Sequence, residues 1–265
     1  MCRLVSYIGK KQILLADILI NPQNSLIKQS KSSNKDSHKV NADGFGLSWY
    51  NFKVNSEPGI FKSIQPAWND NNLINIAKTI ESNCFIGHIR ASTIGDVSNR
   101  NCHPFVYKEY TMAHNGTIDN FNKIRRLLMS QLSDELFLSI KGNTDSECLF
   151  FLIMEYVHSG SGMTLADAVK KAFSWVTKAQ NKDDYSRLNI VITNGKEMIA
   201  TRYSNIESKI LSLSYSIEES ESFIISSEPL DDHISVWNEV PVNHYLHIKN
   251  GNKNIEIISL ENINN

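Results

Sequence analysis

Residues 2–8, CRLVSYI, set Leu4, Ser6 and Ile8 on one side of an extended chain and Val5 and Tyr7 on the other. A strand apolar on both sides is at least partly covered on both faces. The chain is long enough to supply that cover, since 265 residues can bury a sizeable core as one large domain or two small ones. With 41% hydrophobic and 21% charged residues, folding rather than disorder is the expectation.

The rest of the pattern says what the layers are made of. Residues 44–50 (GFGLSWY) predict a second strand, entered through a tight Asp43-Gly44 turn, and residues 84–89 (CFIGHI) a buried one. Between these, residues 13–20 predict a short helix and residues 25–39 (SLIKQSKSSNKDSHK) an exposed loop. From Asp145 the period becomes helical, with Leu149, Leu152, Ile153 and Tyr156 three and four residues apart. A clearer helix covers residues 165–179. Its apolar stripe is Leu165, Ala168, Val169, Ala172, Phe173 and Val176, with Thr164 as N-cap and Asp167 three residues on. Strands return at 188–193 and 198–202 around Asn194-Gly195, at 223–226, and at 245–249 and 255–260 around Asn250-Gly251. Strands, then helices, then strands predict an α+β fold of sheets and helices in layers, not an alternating βα fold. No repeat and no Pro/Gly/Ser linker divides the sequence, so a single domain over 1–265 is expected.

Several function classes are disfavoured. A net charge of −1 gives no sign of a nucleic-acid or membrane surface. No apolar run nears the ~18 residues of a membrane span, and the N-terminus has no signal-peptide core. The four cysteines form no C-x-x-C pair, which points to a reducing cytoplasm. His88, His103 and His114 match no ligand spacing and have no carboxylate cluster beside them, so neither metal nor cofactor is expected. Cys84 and Cys102 lack a nucleophile's context and read as buried structural thiols.

Cys2 differs from them by its position. Its side chain is small enough for removal of Met1, which would leave a free α-amine on the residue that carries the thiol. The thiolate is the reactive form. An amine with an ordinary pKa of about 7.7–8.0 can accept the thiol proton, directly or through one water. With Met1 attached, that nitrogen is an amide and no base. Three further segments carry candidates. Arg90, in HIRAST at 88–93, could grip a substrate carboxylate or pair with a protein one. Asn115-Gly116, in AHNG, could supply a side-chain amide and an unhindered backbone N–H to an oxyanion, or could be a turn. Asp145, in GNTDSE, could bind an ammonium or simply favour a helix dipole.

In order, these segments resemble the class II glutamine amidotransferases of the N-terminal-nucleophile superfamily. The resemblance includes Met1-Cys2, DGFG at 43–46, HIRAST at 88–93, NCHPF at 101–105, AHNG at 113–116 and NTDSE at 143–147; SSEPL at 226–230 matches a late motif of stand-alone members. It implies a four-layer αββα sandwich of two mostly antiparallel sheets, with Cys2 as nucleophile and its α-amine as base. It further implies Asn115 and Gly116 as the oxyanion hole, Arg90 and Thr93 on the substrate α-carboxylate, and Asp145 on the α-ammonium. The substrate would be glutamine, cleaved to glutamate and ammonia, or another γ-glutamyl amide or peptide. Ala91 stands where large multidomain members carry Trp, which brings the chain nearer the stand-alone branch. No acceptor region is legible after the last motif, so either a partner protein takes the ammonia or the substrate is not glutamine. A non-catalytic binding module is the remaining alternative.

Overall fold

The structure is a computed structural model and describes residues 2–31, 41–91, 95–160, 162–218, 221–231, 237–251 and 255–260. In chain order, β1 (Arg3–Leu14) leads to α1 (Ala16–Leu19), α2 (Leu26–Lys31), β2 (Phe45–Trp49), β3 (Gly59–Ser63), α3 (Asn71–Thr79) and β4 (Glu81–Ile89). A hairpin of β5 (Phe105–Tyr107) and β6 (Tyr110–Ile118) precedes the helices α4 (Phe121–Met129), α5 (Asp134–Ser139), α6 (Asp145–His158) and α7 (Leu165–Ala179). The remainder is β7 (Ser186–Thr193), β8 (Glu197–Arg202), β9 (Ser214–Glu218), β10 (Ser222–Ser226), β11 (Trp237–Glu239), β12 (His244–Lys249) and β13 (Ile255–Ser259).

Among the described residues these strands form two antiparallel sheets. One has seven strands in the order β11-β9-β10-β1-β4-β2-β3; the other has six, β13-β12-β8-β7-β6-β5. Side-chain alternation stacks them. Leu4 and Ile8 of β1 meet Ala113, Val191 and Ala200 in a core between the sheets, and Ser6 Oγ lies 3.4 Å from Met198 Sδ across it. Val5 and Tyr7, on the other side of β1, pack with Leu15, Leu19 and Leu73 beneath α1 and α3. Leu188, Ile190 and Ile192 of β7 pack outward against Phe150, Leu152, Val169 and Phe173 of α6 and α7. The result is the expected αββα sandwich. Fully burying each of the Leu, Ile, Val and Phe side chains among these contributes about 1.5–3 kcal/mol. No helix among the described residues is long and apolar enough to cross a membrane.

Two local expectations need correction. Residues 13–20 are not one helix: β1 continues past an irregularity after Ile8 and pairs Ile13 with Ser82, so α1 begins only at Ala16. The polar stretch from residue 25 is not all loop. Leu26 is buried in the core, and the Gln29 N–H donates to the Ser25 carbonyl at 2.9 Å, so residues 26–31 form α2; residues 32–40 lie outside the described ones. The polar composition hid one anchoring leucine.

Candidate active site

Cys2 sits just before β1, partly exposed. Its sulfur lies 3.3 Å from the Ala91 N–H, which donates to it, and 3.4 Å from the Ala91 carbonyl. Burial pushes the thiol pKa up. The Ala91 N–H and the Arg90 guanidinium oppose that rise, and Asp145 adds to it. The thiol is therefore held protonated until a base takes the proton, and both charged candidates act on the same sulfur.

Arg90 follows β4 and is almost wholly buried. Its backbone extends the β2–β4 pairing: its N–H donates to the Gly44 carbonyl at 2.8 Å, and its carbonyl accepts from Asp43 at 3.3 Å. Gly44 has φ +100°, a conformation that excludes most side chains, and its carbonyl is the one that takes the Arg90 N–H. The guanidinium donates to the carbonyls of Asp96, at 2.9 Å, and Gly95, at 3.4 Å. Asn101 braces that loop, its side-chain amide donating to the Asp96 carbonyl and to Asn143 Oδ1. Thr93 lies outside the described residues.

Asn115-Gly116 is not a turn. The Asn-Gly pairs at 194–195 and 250–251 do hold glycine at positive φ beside β8 and β12. Asn115 and Gly116 instead lie inside β6, opposite Asn189 and Leu188 of β7. Asn115 is buried, and its Nδ2 donates to Ser227 Oγ at 3.3 Å. Ser227 Oγ also accepts the Leu4 N–H at 3.0 Å, two residues from the candidate nucleophile. A Cβ on Gly116 would lie 1.8 Å from the Arg187 carbonyl oxygen and 2.3 Å from His114 Nε2. We expect Gly116→Ala to destabilise the fold by about 1–3 kcal/mol or more through overpacking and to cut turnover; thermal unfolding and a glutamate-release assay check both.

Asp145 is the first residue of α6, but Thr144 caps that helix, accepting the Glu147 N–H at 3.1 Å. The Asp145 carboxylate reaches across to β6, where Oδ2 accepts the Ile118 N–H at 2.9 Å, while Oδ1 accepts the Ser146 N–H at 2.8 Å. Ser146 Oγ lies between Asp145 Oδ1, at 3.1 Å, and His114 Nδ1, at 2.8 Å. His114 Nε2 is 2.9 Å from the Arg187 carbonyl, which makes it the donor; Nδ1 of the neutral ring and Asp145 Oδ1 then compete for the single Ser146 hydroxyl proton. Burial lowers the His114 pKa against the pull of Asp145, consistent with that neutral form.

His88 and His103 stack with ring centroids 4.1 Å apart. Burial drives His88 down to about 3, and His103 falls well below the usual histidine range for the same reason. Both are neutral at any physiological pH. Among the described residues no group of three His, Cys, Asp or Glu side chains could hold a metal ion. Cys84 and Cys148 are buried thiols pushed up to about 12, and Cys102 is buried beside Gly44 and Ser63.

A family model described as "Glutamine amidotransferases class-II" matches residues 26–216, which include Arg90, Asn115, Gly116 and Asp145. The chain belongs to the class II glutamine amidotransferases. It is an enzyme of that class, and its sandwich has the N-terminal-nucleophile architecture of the class. This amidotransferase is 33% identical to the "Probable glutamine amidotransferase DUG3" of Saccharomyces cerevisiae, over 94% of the chain and 82% of that protein. It is 26% identical to the "Gamma-glutamyl-hercynylcysteine sulfoxide hydrolase" of Mycobacterium tuberculosis, over 94% and 93%. A solved glutamine aminotransferase class-II domain protein from Silicibacter pomeroyi superposes with a TM-score of 0.72 at 25% identity, covering 97% of this chain and 98% of its own.

Sequence reasoning assigned no role to Ser227, Glu228, Arg3, Asn101 or Ser146 of the amidotransferase, although four of the five lie in motifs it had marked. Their roles depend on which strand registers beside which. Val5 opposite Ser226 is what carries Ser227 to Leu4.

Proposed function

We propose that this enzyme hydrolyses the γ-amide of glutamine with Cys2 as nucleophile, within one domain spanning 1–265, through a γ-glutamyl thioester. The observation that carries the reading is the Ser227 hydroxyl, which accepts from both Leu4 and Asn115 and so ties the strand of the nucleophile to an amide donor.

Removal of Met1 would turn the Cys2 nitrogen into an α-amine able to take the thiol proton. The thiolate attacks the γ-carbonyl carbon, and Asn115 Nδ2 with the Gly116 N–H receives the oxyanion. Collapse breaks the C–N bond, and ammonia leaves with the proton held on the amine. Water then attacks the thioester, passing its proton to the amine, and a second oxyanion collapses to glutamate and free thiol. Arg90, joined by Thr93, holds the substrate α-carboxylate. Asp145, its carboxylate fixed by Ile118 and Ser146, holds the α-ammonium. Ammonia either passes to a partner protein or is released.

Arg90 and Asp145 would grip the glutamyl head whatever the leaving group. A second reading, hydrolysis of a larger γ-glutamyl conjugate, is favoured by the near full-length similarity to a γ-glutamyl-hercynylcysteine sulfoxide hydrolase. Glutamate release from glutamine and from a panel of γ-glutamyl amides and peptides tests both. Comparable or higher kcat/KM on glutamine supports the first reading; a preference of ~100-fold or more for a conjugate, ~2.7 kcal/mol in the transition state, supports the second. No release from any γ-glutamyl compound would refute both.

A further inference from the structure

The dipeptide Ser227-Glu228, just past β10, takes no part in the reaction as derived, yet both side chains are buried and both point at its machinery. Ser227 brackets Leu4: its Oγ accepts the Leu4 N–H at 3.0 Å, and its own N–H donates to the Leu4 carbonyl at 3.0 Å. The same Oγ takes one proton of the Asn115 side-chain amide. Glu228 pairs with the Arg3 guanidinium at 2.9 Å, each side chain only 3% exposed, and Arg3 Nη1 donates to the Cys2 carbonyl at 3.0 Å. Every residue from 2 to 4 is thereby tied, directly or through Arg3, to this one dipeptide.

We propose that Ser227 and Glu228 are positioning residues that set the nucleophile and the oxyanion amide against each other, an inference that rests on the function proposed above. An asparagine amide carries two N–H protons and turns about a broad terminal torsion. With one proton held by Ser227, the other has a fixed direction, which is what an oxyanion donor needs before charge develops. A buried ion pair is weak evidence for stability, because an apolar pair of similar volume often does as well. The planar Arg3 fork does something an apolar side chain cannot. It forms an ion pair with a carboxylate through one nitrogen and donates a hydrogen bond to the Cys2 carbonyl through the other, fixing the main chain that carries the sulfur.

The test measures kcat and KM on the best substrate of the γ-glutamyl panel, with unfolding temperatures for each variant. Ser227→Ala is expected to lower kcat ~10- to 100-fold, the scale of a misplaced reacting group, with KM within ~3-fold. In an Asn115→Ala background the same change should cost clearly less than in the parent, because part of its action runs through Asn115 and only the part through the Leu4 N–H is left. The paired replacement Arg3→Gln with Glu228→Gln removes both charges without orphaning either and should lower kcat ~10-fold, KM again holding within ~3-fold. Should Ser227→Ala fail to fold, the paired replacement decides by the same criterion. Folded variants with kcat within ~2-fold of the parent, a loss confined to KM, or the same Ser227 loss with and without Asn115 would overturn the proposal. Cys2→Ala in the same assay separates the two levels. If it keeps activity, the proposed function fails; if it is inactive while the Ser227 and Arg3/Glu228 variants are normal, only the positioning role fails.

Discussion

Cys2→Ala should lower glutamate release from any γ-glutamyl substrate by about four orders of magnitude or more, a loss of at least ~5.5 kcal/mol of transition-state stabilisation. The reason is local. In the proposed mechanism the change deletes the attacking sulfur, and no other described thiol can replace it. Cys84 and Cys148 are buried and pushed up to about 12, and Cys102 is fully buried with its own pKa raised by burial. The fold should survive, because Cys2 lies outside β1 and the change removes the sulfur's contacts with the Ala91 backbone while keeping the Cys2 carbonyl's hydrogen bond from Arg3. Thermal unfolding within a few degrees of the parent, together with lost turnover, is the expected pair of results. A folded variant that keeps more than ~1% of parental kcat/KM would remove Cys2 from the chemistry.

Asn115→Ala should cost about 100- to 1000-fold in kcat, the usual loss for one oxyanion donor, with KM little changed. A donor that acts only as charge develops leaves ground-state binding alone. The contrast with Asp145→Ala makes this specific, since a residue gripping the substrate ammonium should raise KM instead. Steady-state kinetics on both variants, read as separate kcat and KM effects, distinguishes the roles. An Asn115→Ala enzyme with normal kcat and weakened KM would move Asn115 from the oxyanion to the substrate head.

Where the chain's own periodicity and punctuation were strong, the fold was legible. Alternation in β1 announced a strand covered on both faces, and Val5 and Tyr7 do face helices while Leu4 and Ile8 face the second sheet. The stripe and Thr164 cap of α7 gave that helix its observed bounds, with Thr164 accepting the Asp167 N–H. Weak signals went unread. The edge strand β3 is half-exposed and carries little alternation, and α2 was hidden by its polar neighbours. The sequence named candidate residues but not the hydrogen bonds that surround them. Asn194-Gly195 and Asn250-Gly251 read as hairpin turns and do hold glycine at positive φ, whereas Asn115-Gly116 left a turn and an oxyanion pair both open until the pairing of β6 with β7 put it inside a strand. The link from Asp145 through Ser146 to His114 exists because α6 packs on β6, a contact no local pattern encodes.

Covalent capture asks whether residue 2, freed of Met1, is the nucleophile. Natively expressed enzyme treated with 6-diazo-5-oxo-norleucine, then examined by intact mass and peptide mapping, should carry one adduct, on an N-terminal peptide that begins at Cys2. Labelling at Cys84, Cys102 or Cys148 would take the nucleophile's role from Cys2, and an active enzyme that retains Met1 quantitatively would take the base's role from its amine.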